Sequence, residues 1–102
     1  MKLQELARRI KCGKPPVVID VRSGFEYRSG HIPGAQHVSL FKIMLRMAKL
    51  PEEKNQLIVV TCEHGPRAQV VMSSLSKNGY TKLELLDGHM AGWRQAQLPI
   101  EK

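Results

Sequence analysis

Two short runs of β-branched residues constrain the fold of this chain more than any other feature of its sequence. Residues 17–21 and 57–61 are almost entirely apolar and do not alternate with polar residues. A strand covered on both faces shows this pattern, which is typical of parallel sheets. Segments with a helical spacing of apolar residues lie before, between and after the two runs. The order of segments therefore predicts an α/β fold, a doubly wound parallel sheet with helices on both faces.

Helical periodicity, turn residues and capping residues predict the remaining elements. They are a helix from about residue 3 to 13, a short helix in 23–30, a short strand at 36–38, a helix from 40 to about 50, a helix over 68–77, a strand at 82–86 and a closing helix from 90 to about 97. Ser39 is the predicted N-cap of the helix over 40–50, and Asn78-Gly79 is a predicted C-cap. The helix over 40–50 has only one polar stripe, which predicts a wide buried face or, as the alternative, a partner surface.

The composition is that of an ordinary globular protein. Of the 102 residues, 42% are hydrophobic and 25% are charged, which predicts a single domain over residues 1–102 with one continuous fold. No apolar stretch approaches the ~20 residues that a membrane helix needs, so we expect no membrane partner. The first residues become charged at once and lack the apolar core of a signal peptide, which favours a cytoplasmic location.

The chain is basic, with a net charge of +7. This excess either solvates the surface or attracts small anionic substrates. Nucleic-acid binding is not expected, because no basic run is longer than Arg8-Arg9 and no aromatic residues are interleaved with the basic ones. Cys12 and Cys62 are too far apart for a CxxC pair, and no cluster of metal-binding residues accompanies them. We therefore expect no metal, no cofactor and no structural disulfide.

The segment with the clearest chemical character directly follows the second β-branched run. It reads Cys62-Glu63-His64-Gly65-Pro66-Arg67. Gly65 tolerates the positive φ of a tight loop, and Pro66 suits the first position of a helix. Such a turn from strand to helix points backbone N–H groups and a helix N-terminus at one sulfur, which favours a thiolate and a bound anion. These six residues therefore predict a nucleophilic cysteine in an anion-binding loop, with the charge of Arg67 beside the anion if its side chain points inward.

Other interpretations of the segment are open at this point. Taken alone, Cys62 would be a small buried residue at the end of a strand. His64 either contacts the substrate or points outward, as side chains do around a ring of inward-facing amides. A Cys–His–Asp hydrolase is not favoured, because nothing marks any of the four histidines as an oriented partner of the cysteine.

Three separated motifs resemble the signatures of rhodanese domains. Residues 18–22, 26–27 and 30–35 are similar to the N-terminal signature, residues 62–67 to the active-site loop, and residues 86–93 to the C-terminal signature. The motifs occur in the right order and extend over most of the chain. The length is similar to that of single-domain sulfurtransferases of the thiosulfate sulfurtransferase type, rather than that of the tandem two-domain enzymes.

The resemblance implies a rhodanese-like fold and an enzyme that carries sulfur as a persulfide on Cys62. The donor would be a small anion, thiosulfate or a persulfide, and the acceptor cyanide, a thiol or a protein. The resemblance assigns the substrate-binding loop to Glu63, His64, Gly65, Pro66 and Arg67. Asp20 and Arg22 match the family's Asp-x-Arg, which implies that they brace the neighbouring loops rather than react.

The chain also departs from the family pattern. His89 stands where the family usually has a second glycine, and the strand before the first helix is short or missing. The missing strand would leave a sheet edge open or paired with a partner. Glu26, His31 and Trp93 are interpreted as structural, and Cys12 is either an inert cysteine at a helix end or a resolving thiol.

Two alternative functions follow from the same residues. The first is a sulfur relay or interaction module without turnover, which the apolar helix over 40–50 and the basic surface favour. The second, less favoured, is a phosphatase or arsenate reductase of the same superfamily. Those enzymes resemble this chain but have a loop one residue longer, whereas four residues separate Cys62 from Arg67 here. The shorter loop favours sulfur chemistry.

Overall fold

The structure is a computed structural model that describes residues 1–102. Its elements are α1 (Leu3–Lys11), β1 (Val17–Asp20), α2 (Gly24–Ser29), β2 (Gln36–His37), α3 (Leu40–Met44), β3 (Leu57–Thr61), α4 (Pro66–Lys77), β4 (Lys82–Leu85) and α5 (His89–Gln95). The strands and helices alternate along the chain, as the β-branched runs and the helical segments between them predict.

The four strands form one parallel sheet in the order β2-β1-β3-β4. Strand β3 lies inside the sheet, and Thr61 at its end is level with Asp20 at the end of β1. The residues that follow these two strands therefore emerge side by side at the same edge. Ligands of open parallel sheets bind beyond this carboxyl edge, which is where Cys62 lies.

Apolar side chains of the inner strands point alternately to the two faces of the sheet. On one face Ile58 and Val60 pack in a cluster with residues of α3 and α4. On the other face Val59 packs with Leu6 of α1 and Trp93 of α5. Because both faces are covered, the two inner strands have no polar side, and the predicted doubly wound α/β fold is confirmed.

Helix α3 is shorter than the sequence predicts. It ends at Met44 rather than near residue 50, because Arg46 adopts a left-handed conformation with φ 57°. The N–H of Arg46 then donates to the carbonyl of Ile43 at 3.1 Å, and the N–H of Met47 donates to that of Lys42 at 2.9 Å. These two bonds close the helix in a Schellman motif, which usually needs glycine at the left-handed position.

The prediction that this helix has a wide buried face is also wrong. Only Ile43 is buried, whereas Phe41, Met44 and Met47 are 72%, 62% and 69% exposed. The predicted N-cap is confirmed, since the Ser39 hydroxyl accepts the N–H of Lys42 at 3.3 Å. The short helix covers one end of the core and presents its other apolar side chains to the surface.

No strand precedes α1, but the sheet edge beyond β4 is partly paired. The Met1 ammonium donates to the carbonyl of Leu85 at 2.6 Å, and the N–H of Asp87 donates to the carbonyl of Met1 at 2.9 Å. The ammonium also lies 3.2 Å from the Glu84 carboxylate. No helix of the structure combines the length and the apolar character that crossing a membrane requires.

Candidate active site

The candidate active site is the turn between β3 and α4. Cys62 directly follows β3, Gly65 is the N-cap of α4, and Pro66 is its first residue. The 12-residue helix α4 points its N-terminus at this turn, so its dipole favours negative charge there. We call residues 62–67 the Cys62 loop.

The sulfur of Cys62 lies inside its loop. The residue is 0% exposed, and the N–H of Gly65 donates to Sγ with an N···S distance of 2.9 Å. A hydrogen bond from an amide is stronger to a thiolate than to a thiol, so this contact favours the charged form. The arrangement supports a sulfur nucleophile enclosed by its loop.

Two carbonyl groups of the loop accept hydrogen bonds from α5. The N–H of Met90 donates to the carbonyl of Cys62 at 3.0 Å, and the N–H of Ala91 donates to that of Glu63 at 3.1 Å. These carbonyl oxygens would repel an anion if they faced it. Their bonds direct them toward the first turn of α5.

The side chain of Glu63 is bound to two arginines. It forms an ion pair with Arg94 of α5 and lies 3.5 Å from Arg22. The hydrogen bond from Arg94 lowers the pKa of Glu63, with the charges of Arg94 and Arg22 acting in the same direction against its partial burial. Glu63 is thus a charged anchor of the loop rather than a base. His64, next along the chain, is exposed and forms no hydrogen bond within the protein.

Arg67 does not lie free beside the sulfur. Its guanidinium binds both carboxylate oxygens of Glu26 in α2, at 2.7 and 3.0 Å. The hydrogen bond from Arg67 is the main reason that the pKa of Glu26 falls from 4.5 to about 2. The same bond raises the pKa of Arg67, and the charge of Cys62 contributes in the same direction. Arg67 therefore joins α4 to α2 and acts on the sulfur only through its field.

Asp20 and Arg22 lie at the end of β1, beside the loop. The Arg22 guanidinium binds the Asp20 carboxylate at 2.8–3.1 Å and the carbonyl of Gly30 at 2.7 Å. The Asp20 residue is 0% exposed and Arg22 is 2% exposed. With its contact to Glu63, the pair links β1, the segment after α2 and the Cys62 loop, which is the geometry expected of structural support.

The remaining predicted residues lie away from the sulfur. His31 Nδ1 contacts the carbonyl of Tyr27 at 2.8 Å, and Trp93 Nε1 donates to the carbonyl of Pro99 at 2.8 Å. Cys12 is exposed and caps α1 ahead of β1, at the opposite edge of the sheet from Cys62. This placement favours an inert cysteine over a resolving thiol. No three His, Cys, Asp or Glu side chains lie together as a metal site.

His89 belongs to the site, although the sequence identified it only as a departure from a pattern. Its Nδ1 accepts the N–H of Cys62 at 3.3 Å, and its Nε2 lies 3.1 Å from where a Cβ on Gly65 would be. Burial lowers the pKa of His89. The sequence signal that could have identified His89 is its imidazole in place of a glycine, shortly after the carboxyl end of β4.

Comparisons with known proteins agree with this geometry. The family model of the rhodanese-like domain matches residues 2–96. A sulfurtransferase of Allochromatium vinosum is 27% identical over 97 residues, covering 95% of this chain and 89% of that protein. Thiosulfate sulfurtransferase GlpE of Pseudomonas fluorescens is 36% identical over 80 residues, covering 76% and 70%. The putative sulfur carrier protein YrkF of Bacillus subtilis is 27% identical over 93 residues, covering 91% and 49%.

Solved structures show the same fold. A crystal structure of a protein from Anabaena sp. matches with a TM-score of 0.87 and 26% identity, covering 99% of this chain and 81% of that one. A rhodanese-like domain protein from Staphylococcus aureus matches with a TM-score of 0.80 and 26% identity, covering 100% and 97%. One family accounts for the sequence signatures, the parallel sheet and the cysteine loop at its carboxyl edge. The chain belongs to the rhodanese-like domain family, with sulfurtransferases among its relatives.

Proposed function

We propose that this protein is a sulfurtransferase that carries a sulfane sulfur as a persulfide on Cys62. The observation that carries the proposal is the hydrogen bond of 2.9 Å from the Gly65 amide to a sulfur enclosed by a loop at the carboxyl edge of the sheet. The relatives named sulfurtransferases support the same chemistry. The donor is thiosulfate or a small persulfide, and the acceptor is cyanide or a thiol.

In the first half-reaction the Cys62 thiolate attacks the outer sulfur of thiosulfate. A sulfur–sulfur bond forms to Sγ while that of thiosulfate breaks, and sulfite leaves with the electron pair. Three negative charges enter this step and three leave it, as one persulfide anion and one sulfite dianion. The loop amide and the N-terminus of α4 stabilise negative charge throughout, so no separate base is required once the thiolate is present.

In the second half-reaction a nucleophile takes the terminal sulfur. Cyanide attacks that sulfur, the bond to Sγ breaks, and the electron pair returns to Cys62 as thiolate while thiocyanate leaves. A thiolate acceptor reacts in the same way and becomes a persulfide. Because each half-reaction releases its product before the next substrate binds, the kinetics should be ping-pong.

Thiosulfate:cyanide turnover tests the enzymatic proposal. We expect thiocyanate production by the wild-type protein and by Cys12→Ser, because Cys12 lies at the far edge of the sheet. Cys62→Ser should produce none above the uncatalysed rate. Equal rates in Cys62→Ser and the wild type would contradict the proposal. Activity toward a phenyl phosphate or arsenate, which the shorter loop disfavours, would favour the phosphatase or reductase alternative.

A relay to a protein acceptor is the second candidate, favoured by the surface around α3. Five large apolar residues are 48–72% exposed here: Phe41, Met44, Leu45, Met47 and Val70. An open depression of about 700 Å³ joins Met44 to Pro66 of the Cys62 loop. We call these five residues the α3 patch.

Basic side chains surround the α3 patch, namely Lys42, Arg46 and Lys77. This combination fits an acidic protein surface that presents a cysteine thiol among apolar residues. The distinguishing measurement is sulfur transfer from the persulfide form to a cysteine peptide rich in Glu and Leu, compared with transfer to 2-mercaptoethanol. Met44→Ser should slow transfer to the peptide alone; equal effects on both acceptors would count against the relay.

A further inference from the structure

His89 adopts a backbone conformation that few residues other than glycine accept. It begins α5 with φ 52°, directly after Gly88, and is 7% exposed. A β-carbon in the left-handed region carries a conformational cost, which persists only where contacts of the side chain offset it. The contacts of the imidazole ring therefore offset this cost.

Those contacts fall on the Cys62 loop. His89 Nδ1 accepts the backbone N–H of Cys62 at 3.3 Å and lies 3.4 Å from the Thr61 hydroxyl. That hydroxyl also lies 3.2 Å from the carbonyl of Cys62, to which it donates. His89 thus supplies the acceptor for a buried amide of the nucleophile itself.

The hydrogen bond fixes the protonation of the ring. A nitrogen that accepts an N–H carries no hydrogen, so the neutral imidazole holds its proton on Nε2. Nε2 lies against Gly65, whose missing Cβ would come within 3.1 Å of it. One ring therefore contacts both residues that form the sulfur hydrogen bond, Cys62 and Gly65.

Burial, more than the charges around it, favours the neutral form of the His89 ring. Burial lowers the pKa of His89; Asp87 opposes this effect, while His64 and the Met1 ammonium act with it. From the loop, Cys62 and Glu63 bring negative charge, and that of Glu63 is bound by Arg94. A protonated ring would present N–H at both nitrogens and lose its bond to the Cys62 amide.

We propose that His89 is a positioning residue for sulfur transfer, whose neutral ring holds the Cys62 amide and abuts Gly65 so that the Gly65 N–H stays on the sulfur. Protonation of the ring removes the acceptor, releases the Cys62 amide and slows sulfur uptake at acidic pH. The inference rests on the proposed function of Cys62. It assigns a role to a side chain that replaces glycine in the C-terminal signature.

Two substitutions separate the ring's hydrogen bond from the backbone strain. His89→Asn keeps an acceptor at the position of Nδ1, tolerates the left-handed conformation and does not titrate. His89→Gly relieves the backbone completely but removes the acceptor. A merely structural role predicts that His89→Gly matches the wild type once it is folded.

The test is the rate of sulfur uptake from thiosulfate across about pH 5–8, with the Cys62 amide followed by NMR in the same samples. We expect His89→Gly to be about 10-fold slower than the wild type at neutral pH, a loss of about 1.4 kcal/mol in transition-state stabilisation. His89→Asn should take up sulfur at the wild-type rate at neutral pH, and its rate should fall less than that of the wild type at acidic pH. The three proteins differ only at residue 89, so the difference between their pH profiles reports on His89.

The NMR measurement does not depend on turnover. The Cys62 amide resonance should shift with pH by more in the wild type than in His89→Asn over the same range, and should exchange faster with solvent in His89→Gly. Identical rates, profiles and amide behaviour in the three folded proteins would overturn the inference. If the wild type takes up no sulfur, the proposed function fails, whereas the amide data still decide whether His89 holds the loop.

Discussion

Gly65 shows at the scale of one residue how closely the loop encloses the sulfur. Its φ of 126° is open to glycine and strained for other residues, and its N–H donates to Cys62 Sγ at 2.9 Å. A side chain would also meet His89 Nε2 at 3.1 Å. The conformation and the space therefore both favour glycine here.

We expect Gly65→Ala to lose sulfur uptake and to be destabilised by about 1–3 kcal/mol through backbone strain. The matched control is Gly34→Ala, which also lies at positive φ, 81°, but has nothing within 4 Å of the new Cβ. The control should share the strain and keep the activity. Uptake rates and urea unfolding measure the two effects; equal uptake in both variants would contradict the role of the Gly65 amide.

At the scale of elements, α3 separates apolar residues that support the core from those that do not. Ile43 is 8% exposed and packs in the core, whereas Phe41 on the same helix is 72% exposed. Both are large and apolar, so composition does not distinguish them. Their different burial gives a direct test of how this helix sits on the sheet.

We expect Ile43→Ala to lower the free energy of unfolding by about 2–4 kcal/mol, because it removes buried methyl groups and leaves a cavity. Phe41→Ala should change it by no more than about 0.5 kcal/mol. Urea denaturation of the two variants measures the difference. A larger loss for Phe41→Ala would mean that the predicted buried face of α3 was correct.

The helix ends show which boundaries sequence patterns can predict. Gly79 occupies the left-handed position after α4, so its end follows from the sequence. Arg46 and Gln97 occupy the same position after α3 and α5, with φ 57° and 58°. Neither residue type signals a C-cap. The segments that follow pack against the core through Ala48 and Leu50 after α3 and through Leu98 after α5. The sequence therefore predicts the end of α3 several residues too late and the end of α5 about two residues too late.

The Glu26–Arg67 pair joins α2 to α4 and makes stability depend on pH. The pKa of Glu26 falls from 4.5 to about 2 in the folded protein. A carboxyl whose folded pKa lies below its unfolded value stabilises the fold above pH 4.5, and this stabilisation is lost as the pH falls from 4.5 through 2. The two side chains are 30% and 36% exposed, so screening reduces the pair to about 1 kcal/mol.

We expect Glu26→Gln to be less stable than the wild type by about 1 kcal/mol at neutral pH and nearly as stable near pH 2. Urea unfolding of both proteins at several pH values measures the convergence. Glu52→Gln, which alters an exposed carboxylate outside any ion pair, is the control and should leave the stability unchanged at neutral pH. A constant difference between Glu26→Gln and the wild type at every pH would contradict the assignment.

At the scale of the whole molecule, the site combines contacts of short and long range. The Cys62 loop was predictable because it directly follows a strand, whereas the role of Asp20 and Arg22 came from their match to the family's Asp-x-Arg. The pairs of Arg67 with Glu26 and of Arg94 with Glu63, and the bond from Cys62 to His89, join residues 41, 31 and 27 positions apart. Local sequence patterns do not predict which distant residues will pair. These contacts form only when α2, α4 and α5 pack around the sheet.

We propose that the sulfur of Cys62, and no other in this fold, accepts a second sulfur atom. Intact-mass spectrometry after thiosulfate treatment tests it most directly, with Cys12→Ser and Cys62→Ser as matched variants of the two cysteines. The account predicts a gain of one sulfur atom in the wild type and in Cys12→Ser, reversed by a thiol reductant and absent from Cys62→Ser. Sulfur uptake by Cys62→Ser, or none by Cys12→Ser, would contradict it.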